Sequence, residues 1–187
     1  MEITKTAIVS MVGRPNVGKS TLTNKLVGRK VAIVSNKPQT TRTRITGLLN
    51  KDGCQYVFLD TPGLHKPRSR LGDYMVKVVE DTVSEVDVAA LIVEPVANVG
   101  APEEKLIEQI KAANIPAVLV INKIDTVKHE DLLAVIAAYA ARHDFAAVVP
   151  VSARTGKNLD ELLDEFGQFA LEGPQLFPED MVSDQPE

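Results

Sequence analysis

A chain of 187 residues with 44% hydrophobic and 25% charged side chains suits one domain with a substantial core and the composition of an ordinary globular protein. Its net charge of −4 argues against a nucleic-acid binder acting through bulk positive charge, and its single cysteine, Cys54, excludes an internal disulfide and suits a reducing compartment. The start, Met1 to Thr6, lacks the layout of a signal peptide, and no apolar run reaches bilayer length, so the sequence predicts a soluble intracellular protein.

Short apolar strands alternate with amphipathic helices, which predicts an α/β domain with a mostly parallel sheet. Ala7 to Val12 reads as the first strand, and Thr21 to Val27 continues as a helix. Between them, Gly13-Arg14-Pro15-Asn16-Val17-Gly18-Lys19-Ser20 fits G-x-x-x-x-G-K-[ST], the phosphate-binding loop of nucleoside triphosphatases, with Thr21 following directly. Strand, glycine loop and helix is the order this chemistry needs. Gly13 and Gly18 let successive N–H groups converge on phosphate oxygens, and the helix N-terminus adds partial positive charge. Lys19 is placed for the β- and γ-phosphates, and the Ser20 hydroxyl for Mg²⁺.

Residues 28–43, rich in Thr, Lys and Arg, read as a long loop. Ile45 to Leu49 and Gln55 to Leu59 read as strands joined around Asn50-Lys51-Asp52-Gly53, where Asp-Gly signals a hairpin. Asp60-Thr61-Pro62-Gly63 ends the second of these strands, and a polar loop runs on to about Arg70. A helix is predicted over Leu71 to Val83 and a strand over Val88 to Val93. Another helix starts at Pro102 and runs to about Ala113, with Glu103 and Glu104 in its first turn complementing the dipole. Ala117 to Ile121 is a continuous apolar run, as for a strand covered on both faces. A helix over Glu130 to Arg142, a strand over Ala147 to Val151 and a helix over Leu159 to Leu171 complete a domain spanning 1–172. Residues 173–187 carry no lasting periodicity and read as a linker or tail.

The chemistry gathers at strand ends, where ligands bind in open α/β sheets. Asp60, about 40 residues after Lys19, is placed to hold Mg²⁺ through a water, and the Gly63 N–H to sense a γ-phosphate in a contact that breaks on hydrolysis. Alone, D-T-P-G would be a plain turn; after a phosphate loop it is a switch. Asn122-Lys123-Ile124-Asp125 follows a strand directly. A carboxylate at Asp125 accepts from both N1–H and the exocyclic amine of guanine, a donor pair that adenine lacks. Asn122 would tie this loop to the phosphate loop, and the Lys123 stem would pack over the ring. Ser152-Ala153-Arg154 can supply a backbone N–H to guanine O6. N-K-x-D alone is more often a helix-start turn. Its place after the other motifs, in order, makes the nucleotide guanine.

These motifs resemble those of translation-factor-type GTPases. Gly13 to Thr21, Pro38-Gln39-Thr40-Thr41-Arg42-Thr43-Arg44, Asp60-Thr61-Pro62-Gly63-Leu64-His65-Lys66-Pro67 and Phe177-Pro178-Glu179-Asp180 together resemble the Era family, within the TrmE-Era-EngA type, over residues 6 to about 182. The resemblance implies a P-loop, Ras-like three-layer α/β/α fold with a sheet of about six strands. It implies GTP and GDP binding with Mg²⁺, slow GTP hydrolysis, and a timing role in small ribosomal subunit assembly and 16S rRNA maturation. Such proteins carry a KH-type RNA-binding domain after the GTPase domain; these 187 residues contain no basic G-x-x-G loop to serve one. A cytoplasmic monomer follows, with any membrane contact peripheral and at the inner face. Thr41 is the switch threonine for Mg²⁺ and γ-phosphate on this resemblance, with Thr40 the alternative.

Leu64 stands where many regulatory GTPases place a water-orienting glutamine, so catalysis must lean on Mg²⁺, Lys19 and backbone donors, with a further cation as an option. Asn16 resembles the asparagine with which related GTPases ligate K⁺; the plainer alternative is that it only caps the loop. His65, His129 and His143 have no ligand spacing. Three other readings stay open: the GTPase domain of another ribosome-assembly or tRNA-modifying protein, a GTP-binding recruiting module with negligible hydrolysis, and a metabolic P-loop kinase, against which Asp125 argues.

Overall fold

β5 (Val88–Val93) and β6 (Ala117–Ile121) are apolar and buried throughout, and β1 (Lys5–Val12) is buried at every residue but Lys5. Strands of that kind must be covered on both faces, and here helices do so. The structure is a computed structural model that describes residues 3–27, 33–34, 44–60 and 86–173. The expected helix over Leu71 to Val83, and the switch residues Thr40, Thr41, Thr61, Pro62, Gly63 and Leu64, lie outside the described residues.

The remaining strands are β2 (Ile33–Val34), β3 (Arg44–Lys51), β4 (Cys54–Asp60), β7 (Ala147–Pro150) and β8 (Leu171–Glu172). The sheet runs β2-β3-β4-β1-β5-β6-β7, with β8 beside β1. From β4 through β7 every pairing is parallel; β2 and β3 add an antiparallel edge. Lys51 pairs with Cys54 across a two-residue turn, Asp52 at φ 53° and Gly53 at φ 78°, the geometry that Asp-Gly favours.

Four helices are described: α1 (Lys19–Val27), α2 (Ala101–Ala113), α3 (His129–Ala140) and α4 (Leu159–Gly167). Ile107 and Ile110 of α2 and Val135 and Tyr139 of α3 pack on one face against Ile8, Leu91 and Leu119. Leu22 and Leu26 of α1 and Leu162 and Phe166 of α4 pack on the other against Val9, Phe58 and Val120. Phe166 meets Phe58 edge-on, ring centres 6.1 Å apart. Each such fully buried side chain contributes about 1.5–3 kcal/mol of transfer free energy. A Cβ at Gly47 would fall 2.9 Å from Val27 Cγ1, so glycine there lets α1 lie close on β3. These are the three layers and six long strands expected from the sequence.

Two expectations need correction. The helix predicted over Leu159 to Leu171 stops at Gly167, and Leu171–Glu172 is instead β8, antiparallel to Thr6 and Lys5. β5 pairs with β1 only from Val9 onward, so one edge of β1 at Lys5–Thr6 is open to β8. Helical periodicity in the sequence cannot reveal a vacant sheet edge. Within the segment read as loop, Ile33–Val34 forms β2 against Ile45 and Arg44. A two-residue strand has no period to detect.

Candidate nucleotide-binding site

β4, β1, β5, β6 and β7 run parallel, so their C-terminal ends share one edge of the sheet, and the described segments after β1, β5, β6 and β7 start there. The phosphate loop leaves β1 and runs straight into α1, whose first turn is begun by the Leu22 N–H bonding to the Gly18 carbonyl at 2.8 Å. Asn16 (φ 70°) and Gly18 (φ 101°) both take left-handed conformations, which curl the loop around its own N–H groups. A Cβ at Gly18 would stand 2.4 Å from Asn122 Nδ2, so side-chain-free backbone is required at that point.

Asn122 is the fastener of the site. Its side chain, on a residue only 2% exposed, donates from Nδ2 to the Val17 carbonyl at 2.9 Å and accepts at Oδ1 from the Ala153 N–H at 3.0 Å. One carboxamide thus ties three loops that are far apart in sequence. Of the Ser152-Ala153-Arg154 N–H groups, one of which was expected to serve guanine O6, that of Ala153 is engaged by Asn122 and that of Ser152 by the Lys157 carbonyl. Asp125 is the middle residue of a short 3₁₀ turn, Ile124–Thr126, where the Ser152 hydroxyl donates to its Oδ1 at 2.8 Å and Arg154 Nη1 lies 3.8 Å from its Oδ2. The buried Ser152 hydroxyl also accepts from the Thr155 N–H, so its own geometry is fixed.

Lys123 sits between these parts. Its backbone is left-handed (φ 63°), and its Nζ donates to the Asn16 carbonyl at 3.1 Å and to Glu94 Oε2 at 2.6 Å. Lys19 Nζ lies 3.7 Å from Asp60 Oδ1, bringing the phosphate-loop cation and the strand-end carboxylate together. Among the cavities at these loops, two adjoin the phosphate loop and the base loop together. One of about 270 Å³ is lined by Gly18, Asn122, Lys123, Asp125, Ala153 and Arg154, and one of about 480 Å³ by Pro15, Asn16, Lys19, Ser20, Thr21 and Lys123. They share Gly18, Thr21 and Lys123, so they are neighbouring compartments, one with the Asp125 carboxylate and one with the loop's donors. Their sizes suit a base and a phosphate chain. Ser20 and Asp60, with water completing the shell, are a donor set that fits Mg²⁺.

The Arg14 side chain of the phosphate loop is turned toward α2. Its guanidinium faces Glu103 of α2, Nε donating to Oε2 at 2.5 Å and Nη2 to Oε1 at 2.7 Å. The guanidinium holds the Glu103 carboxyl below its ordinary range, against the opposing effect of burial. The same pairing raises the Arg14 value. Burial pushes the adjacent Tyr139 phenol up to about 12. Sequence reasoning missed two participants. Glu94 stands one residue past β5, a strand-end position that could have flagged it. Glu103 was explained by the helix dipole, which hides a specific partner.

Fold and site define a P-loop GTPase domain. A protein-family model described as "50S ribosome-binding GTPase" matches residues 8–123, and the chain belongs to that family. It is 46% identical over 183 residues to GTPase Era of Ruminiclostridium cellulolyticum, an alignment covering 98% of this chain and 61% of that protein. A crystal structure of Era in complex with MgGDPNP and nucleotides 1506–1542 of 16S ribosomal RNA matches at TM-score 0.74 and 40% identity, over 98% of this chain and 63% of that one. An Era variant of Aquifex aeolicus bound to GDP·AlF₄⁻ matches at TM-score 0.73 and 40% identity, over 97% of this chain and 62% of that one. The elongation factor SelB of Methanococcus maripaludis, at 18% identity and TM-score 0.64 over 90% of this chain and 34% of that one, shares the fold. The chain spans about three fifths of the length of the Era relatives it matches. Among the described residues, no helix is long and apolar enough to cross a membrane.

Proposed function

We propose that this chain binds GTP and GDP and hydrolyses GTP to GDP and phosphate, as the switch domain of a protein acting in small ribosomal subunit assembly. The observation that carries the reading is the Asn122 carboxamide bonded to Val17 and Ala153, which joins a phosphate loop to a base loop bearing a hydrogen-bonded Asp125. Asp125 accepts from the guanine edge, Ser152 orients it, and the Lys123 stem covers the ring. Lys19 and the loop N–H groups take the phosphates, and the charge that develops during hydrolysis is met by groups already in place. Ser20, Asp60 and Thr41 (or Thr40) are the Mg²⁺ ligands of this reading; when bound, the ion neutralises β,γ-phosphate charge. Gly63 reports the γ-phosphate. Asn16, exposed at the loop apex in a left-handed conformation, is assigned to K⁺.

The assignment to the small subunit rests on the Era likeness and on the 16S rRNA fragment in one such complex. Residues 1–172 form the GTPase unit and 173–187 a linker, with RNA recognition falling to a KH-type domain. The unit acts as a cytoplasmic monomer, any membrane contact being peripheral. The test is multiple-turnover phosphate release from GTP in matched KCl and NaCl, with an Asp125→Asn variant offered GTP and XTP. Turnover in the parent, with preference moving to xanthine in the variant, supports the GTPase. Tight GTP binding with no turnover would replace it by a recruiting module, and equal rates in the two salts would remove K⁺ from Asn16.

A further inference from the structure

The phosphate loop is held from three directions. Asn122 fixes the Val17 carbonyl, Lys123 the Asn16 carbonyl, and Glu103 the Arg14 side chain. The first two anchors belong to the base loop. The third comes from α2, which carries no nucleotide motif. Its construction is specific. Glu103 is 5% exposed and presents both carboxylate oxygens to the planar guanidinium, a fork that fixes orientation as well as distance. Gly100, the residue before α2, completes the seat: a Cβ there would stand 3.0 Å from both Arg14 Nη2 and Glu103 Oε1. Tyr139, 2% exposed, closes it from α3.

Behind the loop, a cavity of about 200 Å³ is lined by Arg14, Val17, Glu94, Asn98, Glu103 and Tyr139. Without the fork, the limb carrying Arg14 has room to move into it. A buried carboxylate costs stability unless paired, and an apolar contact would fix α2 to the loop at less cost. What the fork adds over an apolar contact is direction.

We propose that Glu103 is a positioning residue for the phosphate loop, acting through Arg14 to hold the limb that precedes the N–H cradle in its phosphate-binding geometry. Displacing such a cradle by about 1 Å is enough to lose roughly a hundredfold in a well-oriented reaction, and loosening it loses part of that. The proposal rests on the reading that this loop binds phosphates. It assigns to Arg14 a task other than touching the nucleotide.

The experiment measures dissociation constants for GDP and GMP on the parent chain, Glu103→Gln, Arg14→Lys and the double variant, at a temperature where circular dichroism shows each folded. The expected result is a fall of about tenfold in the preference for GDP over GMP in each single variant, with no further fall in the double. The difference isolates the cradle, because GMP lacks the β-phosphate. A preference within about twofold of the parent in both single variants, even with a lowered melting temperature, would show a purely structural pair and overturn the proposal. Should Glu103→Gln not fold, Arg14→Lys decides, since it keeps the charge on a side chain that is 45% exposed and removes only the fork. A parent chain that fails to bind GDP would instead overturn the underlying reading of the loop.

Discussion

Replacing Asn122 with alanine should unfasten the site and cost the nucleotide-free chain stability, because its carboxamide serves two buried backbone groups. The substitution removes a 2.9 Å bond to the Val17 carbonyl and a 3.0 Å bond from the Ala153 N–H, and leaves both groups unpartnered by it. Each buried polar group stranded in this way costs about 1–3 kcal/mol. Taking the lower half of that range, because loops at a sheet edge can admit water, gives a loss of about 3 kcal/mol. For a chain of this size that corresponds to a melting temperature lower by about 6–12 °C. Urea unfolding of nucleotide-free parent and variant, followed by circular dichroism, measures it. Loss of GDP binding should accompany the change, since both loops lose their common anchor. If Asn122→Ala unfolded within about 1 kcal/mol of the parent, the carboxamide would not be a structural fastener, and the reasoning about three tied loops would be wrong.

Ser152→Ala should weaken GDP binding by about tenfold and narrow the discrimination of guanine from adenine, because Asp125 loses a 2.8 Å donor that orients its carboxylate; competition titrations with GDP and ADP report both. Gly18→Ala should be severely destabilising, with φ at 101° and its Cβ directed at Asn122 Nδ2, and the penalty should shrink in an Asn122→Ala background if that contact is the cause. Acid sensitivity gives a further check on Glu103. Its folded-state value is depressed, chiefly by the hydrogen bond from Arg14, so its contribution is present above the unfolded value near 4.5 and is lost as pH falls through the folded one. Glu103→Gln should therefore lower stability at pH 7 and flatten the acid limb of a stability–pH curve below pH 4.5, as read by thermal melts across that range.

How far the sequence reached depended on whether the information was local. Gly13 to Ser20, Asp60, Asn122 to Asp125 and Ser152 to Arg154 each follow an apolar run, and strand-then-loop is visible from hydrophobic pattern alone. The hairpin at Asp52-Gly53 was legible for the same reason, since two adjacent residues dictate the turn. The rest was decided by what lay opposite in space. Leu171–Glu172 carries the apolar spacing of a helix, and becomes a strand because the edge of β1 at Lys5 and Thr6 is open beside it. Arg14, inside a nucleotide motif, turns to Glu103 because α2 begins beside the loop, although the two residues are 89 positions apart in the chain. Glu94 meets Lys123 only because β5 and β6 are parallel neighbours in register, Val93 opposite Ile121. The sequence by itself determined the class of fold and the order of its long described elements, because periodicity and turn chemistry act over a few residues. Which side chains of the candidate site brace one another was decided by the tertiary structure, because hydrogen bonds and ion pairs are set by distances that only the packed sheet and helices create.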